Sequence, residues 1–119
     1  MGLDTYASRS PDDIELTEED IQAFEEADIF LCGGIFSGGG GSFRGKVYAL
    51  LISEITGESL FQEWIPPEIV RKMYDTLVKY NPEEAVQEFG YRNTAGEYLD
   101  LCKFFKICSQ RGLGLIGWS

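Results

Sequence analysis

Apolar and polar positions along this chain follow two periods, and the change from one to the other marks the elements. Leu3-Asp4-Thr5-Tyr6-Ala7-Ser8 alternates roughly every second residue. It predicts a short strand that Pro11 ends. Thr17-Glu18-Glu19-Asp20 predicts the opening of a helix, with acids in the first turn where the helix dipole favours them. Ile21, Phe24 and Ala27 give that helix a narrow apolar stripe. Asp28–Cys32 fits either a helix end or a strand. A glycine-rich loop follows over 33–45.

A second helix is predicted from Ser42 to Thr56, with Gly57 as its stop. At about 100° per residue, Phe43, Val47, Tyr48, Leu51, Ile52 and Ile55 cover roughly half of its circumference. Leu60–Ile65 is apolar and aromatic, with Gln62 and Glu63 inside it. Pro66-Pro67 fits the first turn of a third helix whose stripe is Ile69, Val70, Met73, Leu77 and Tyr80. Asn81-Pro82-Glu83-Glu84 repeats the start signal for a short fourth helix that Gly90 closes. Thr94-Ala95-Gly96-Glu97 is a capping box for a fifth helix. Its buried face is Tyr98, Leu101, Cys102, Phe105 and Cys108, widened by Phe104 and Ile107. Gly112 stops it, and Leu113–Trp118 reads as a last strand whose glycines point to close backbone approach. The expected fold is therefore a helix-rich α+β single domain spanning 1–119, with about five helices and a small sheet formed by the two terminal strands.

Charge changes the picture in one place. The 119 residues carry a net charge of -10. Residues 1–28 hold ten acids against Arg9 alone, a net of -9, while the remainder is nearly balanced. That argues against nucleic acid, whose binders need Lys and Arg to neutralise phosphates. It permits a basic protein partner drawn in by long-range attraction, or an acidic helix that only aids solubility. Cys32, Cys102 and Cys108 match no disulfide framework or zinc motif and read as reduced core thiols of a cytoplasmic protein. The longest apolar run, Val47–Ile52, is far short of a membrane span.

The chemistry-bearing candidates cluster around the glycine-rich loop, which with Ser42–Lys46 holds seven of the fourteen glycines. Gly40-Gly41-Ser42-Phe43-Arg44-Gly45-Lys46 has the glycines and lysine of a phosphate loop. Val47, however, stands where Ser or Thr would hold magnesium. A weaker anion site remains, with glycine amides at a helix start and Arg44 and Lys46 adding positive charge. Arg44 and Glu54 fall inside the apolar arc of the second helix, so each must find a partner, line a cleft or reach water from a helix end. Glu63 beside Trp64 is a candidate acid or base, and Glu54 with Glu63 could serve carboxylate chemistry. The chain has no histidine. This removes Ser-His-Asp and Cys-His catalysis and the His-containing zinc motifs. No metal or cofactor motif is present.

Ser42-Phe43-Arg44-Gly45-Lys46-Val47-Tyr48, Gln62-Glu63-Trp64-Ile65-Pro66-Pro67 and Gly112-Leu113-Gly114-Leu115-Ile116-Gly117-Trp118 together resemble a set of short uncharacterised bacterial proteins, cyanobacterial ones among them. The resemblance implies a bacterial cytoplasmic domain and carries no catalytic residue. Three readings follow. One is a binding domain for a small anionic ligand at Gly40, Gly41, Ser42, Arg44, Lys46, Glu54, Glu63 and Trp64. Another is an acidic interaction or inhibitor-type module that uses residues 12–28. The third is a carboxylate-dependent enzyme built on Glu54 and Glu63.

Overall fold

The two segments read as terminal strands meet as the central ladder of a sheet. A computed structural model describes residues 4–12, 16–27, 29, 42–89 and 93–118. Strand β1 (Asp4–Ser8) runs antiparallel to β4 (Gly114–Trp118), from Asp4 opposite Trp118 to Ser8 opposite Gly114. Two-residue strands flank them: β2 (Ser42–Phe43) beside β1 and β3 (Trp64–Ile65) beside β4, giving the order β2-β1-β4-β3. Among the described residues the sheet thus has four strands where two were expected. The added edges suit the physics, since an isolated pair of strands is marginal in water.

The helices are α1 (Glu18–Glu26), α2 (Gly45–Thr56), α3 (Pro67–Leu77), α4 (Pro82–Phe89) and α5 (Ala95–Arg111). Their ends follow local chemistry. Thr17 and Thr94 each close a reciprocal capping box, with Asp20 and Glu97 as the partners. Pro67 occupies the first turn of α3, where its missing N–H costs nothing. Gly57 and Gly112 end α2 and α5 at positive φ, 78° and 67°, a conformation that side chains resist. None of the described helices is long and apolar enough to cross a membrane.

Helix α2 begins at Gly45, three residues later than the periodicity predicts. Phe43 explains the delay. It is buried, its ring centroid lies 4.9 Å from that of Phe104 and 5.8 Å from that of Tyr48, and its backbone pairs with Thr5. Phe24 extends the stack, 4.8 Å from Phe104. Four rings therefore tie α1, α5, β2 and α2 together, each contact worth about 0.5–1.5 kcal/mol beyond burial.

The strand registers sort the sheet into two faces. Thr5, Ala7, Phe43, Leu115 and Ile65 share one face, and the four apolar ones belong to the core made with the helices. Ser42, Tyr6, Ile116 and Trp64 form a row straight across the other. Ile116 is buried there but outside the main core.

Candidate functional site

The residues expected to form one site are spread over the two edges of the sheet. Ser42 is buried on the edge strand β2 and Trp64 half-buried on the edge strand β3. Three inter-strand spacings, about 14 Å, separate those edges. Arg44 is exposed and is the N-cap residue of α2, with no side-chain cap bond. The first turn of α2 carries no acid. Its leading backbone N–H groups and the positive end of its dipole therefore sit where the chain enters from the glycine run. Gly40 and Gly41, and the side chain of Lys46, lie outside the described residues, as does the glycine-rich loop up to 41.

Glu54 and Glu63 are both exposed, so neither has the desolvated setting from which carboxylate acid catalysis draws. The apparent conflict of Arg44 and Glu54 on an apolar arc is resolved by the arc's width. Tyr48, Leu51, Ile52 and Ile55 are buried, whereas Val47 is 37 % exposed and Glu54 lies exposed beyond it; Arg44, extended at the N-cap, precedes the helix and is exposed there. Trp64 is an anchor for the sheet. Its ring lies so close over Gly114 that a Cβ there would sit 2.5 Å from the ring tip and 2.5 Å from the Ile65 carbonyl oxygen.

The thiols are poorly suited to nucleophilic chemistry. Cys102 and Cys108 are free and separate. Burial pushes Cys102 up to about 11. Burial, then the charge of Asp20, pushes Cys108 higher still. Both therefore stay protonated near neutrality, and the thiolate is the reactive form. Cys32 lies outside the described residues. Among the described residues no group of three His, Cys, Asp or Glu side chains could hold a metal ion.

The best-built polar cluster is one that sequence spacing does not single out. Asp20 is fully buried at the start of α1. Arg9, just past β1, donates to both of its oxygens at 2.8 and 3.0 Å. Arg111, in the last turn of α5, donates Nε–H to Oδ1, and the backbone N–H of Thr17 donates to Oδ2 at 3.0 Å. Burial alone would raise the carboxyl. The bonds from Arg9, the Thr17 backbone, Arg111 and the Thr17 side chain outweigh it and hold the group well below the usual carboxylate range. The one available signal is Arg9, the single base in an acidic segment whose capping box also needs Asp20.

With Asp20 and Phe24 turned inward, the outer face of α1 presents one sign of charge to water. Glu18, Glu19, Glu25 and Glu26 are exposed, and the helix contains no basic residue. Arg111 comes within 3.8 Å of Glu19 from α5. No protein-family model, curated protein or solved structure matches this chain.

Proposed function

We propose that this domain is an interaction module that presents the acidic face of α1 to a basic protein partner. The observation that carries the reading is the division of labour among the helix's acids. Asp20 is neutralised inside by two arginines and fixes the helix, while Glu18, Glu19, Glu25 and Glu26 project outward. A rigid array of like charges speeds encounter with an opposite surface and loses that advantage in salt.

The test is the quadruple change E18Q/E19Q/E25Q/E26Q. Because all four side chains are exposed, the variant keeps its fold, which circular dichroism checks. A basic protein recovered at low salt by the wild type should bind the variant with an on-rate lower by about tenfold or more. Its off-rate should change much less. Recovery of the same proteins at the same rates by both would remove the reading, as would recovery of no basic protein.

The α2 start supports a second reading, an anion site at Gly40, Gly41, Ser42, Arg44 and Lys46. Its support is the first turn of α2, which lacks both a side-chain cap and an acid. Phosphate titration should then move the amide resonances of residues 42–47 saturably. Shifts that grow linearly with phosphate would count against it.

A further inference from the structure

We propose that the groove between α3 and α5 binds a small amphipathic carboxylate, an acid with a short apolar tail. The groove is open to solvent along one side and has a volume of about 410 Å³, within the range of small-molecule sites. None of its lining residues belongs to α1 or α2, so it does not depend on either reading above.

The lining is ordered along α5. Gly96, Leu99, Lys103 and Lys106 follow one another at steps of three and four, so they form one stripe of the helix. At one end Gly96 leaves the wall low, and Leu99 is 52 % exposed. Half-buried Tyr74 from α3 and Cys102 also line the groove, and Leu99 marks its apolar end. This end offers apolar surface for a tail.

At the other end stand two ammonium groups. Lys103 lies 3.5 Å from the Asp100 carboxylate, while among the described residues no carboxylate pairs with Lys106. Lys106 is therefore the group that an incoming carboxylate would meet. The neighbouring groove, lined by Glu68, Arg71, Lys72 and Asp75, carries balanced charge and has no such preference.

Neither half of the site suffices. An exposed ion pair contributes little by itself, and a short apolar stripe does not discriminate among tails. Together they select a molecule with both features spaced along about two turns of helix, roughly 10 Å. The chain's overall negative charge opposes any anion at long range. At 0.15 M salt that field decays over about 8 Å, while contact with Lys106 is shorter.

Octanoate is the probe, with acetate and 1-octanol as the half-ligands, read by amide chemical shifts at physiological salt. Octanoate should give saturable shifts confined to Tyr74 and residues 96–106, and should slow maleimide labelling of Cys102. It should bind about threefold tighter than 1-octanol, the advantage of one exposed ion pair, and acetate should not saturate. Lys106→Ala should bring octanoate to the level of 1-octanol, and Leu99→Ser should abolish saturation. Arg71→Ala, in the neighbouring groove, should change nothing. Leu99 and Lys106 are exposed, so their variants fold, and an otherwise unchanged amide spectrum verifies it. Non-saturable shifts, shifts centred elsewhere, equal binding of 1-octanol, or indifference to Lys106→Ala would each overturn the proposal.

Discussion

Replacing Asp20 with asparagine lowers the unfolding free energy by about 3 kcal/mol. The carboxylate is fully buried and accepts from Arg9, Arg111 and the Thr17 backbone at once. An amide has one acceptor oxygen, and its NH2 group would face the guanidinium groups of both arginines. Breaking a buried pair costs about 3–5 kcal/mol when the orphaned charge stays dry. Here the arginine side chains are 37 % and 30 % exposed, so they regain water and the loss falls at the lower end. Urea denaturation at neutral pH measures it.

The same contact sets a pH dependence. The folded state holds Asp20 below its ordinary value of 3.8, so the unfolded chain takes up the proton first. Its contribution is complete above pH 3.8 and is lost as pH falls below that toward the folded value. Wild type and Asp20→Asn should therefore differ most near neutrality and converge in strong acid. A gap that stayed constant down to pH 2 would refute the assignment of this stability to the carboxylate.

The second large effect belongs to Gly114. Substitution by alanine places a methyl group 2.5 Å from both the Ile65 carbonyl oxygen and the tip of the Trp64 ring. The ring could swing aside, but the carbonyl belongs to the strand paired with β4, so β3 must move off the sheet. Overpacking of this kind costs about 3 kcal/mol, or roughly 10 °C in melting temperature for a domain of this size. Gly96→Ala is the matched control. Its new methyl would meet only Thr94 Oγ1 at 3.7 Å, an ordinary contact, so thermal stability should hold or rise slightly. If Gly114→Ala melted with the wild type, the close approach of β3 would be wrong.

What the sequence made legible was governed by short range. The helix start at Thr17, the capping box at Thr94, the stops at Gly57 and Gly112 and the proline start of α3 depend on residues within one turn, and each stands where local spacing puts it. The first strand was legible by the alternation of Leu3–Ser8, the last by the glycine-spaced apolar run Leu113–Trp118. Strands β2 and β3 were not, because two residues display no period and exist only through partners far along the chain. The Asp20 cluster failed for the same reason: its arginines lie 11 and 91 residues away. In the candidate site, residue type suggested chemistry for Arg44, Glu54, Glu63 and Trp64. Helix rotation and sheet order, which spread Ser42 and Trp64 over opposite edges, are tertiary facts.

The pairing of the first strand with the last has a temporal side. Asp4 opposite Trp118 is the most distant contact in the sheet, and the inner edge of β1 finds its backbone partners in no earlier segment. During synthesis, α3, α4 and α5 can collapse on one another from local signals as soon as they emerge. The middle of the sheet must wait for residues 114–118. Until then β1 presents an open edge, the kind of surface on which neighbouring nascent chains pair wrongly. Closing a loop of more than a hundred residues is also the entropically dearest step in this topology. Both ladders of β4, to β1 and to β3, thus wait for residues 114–118.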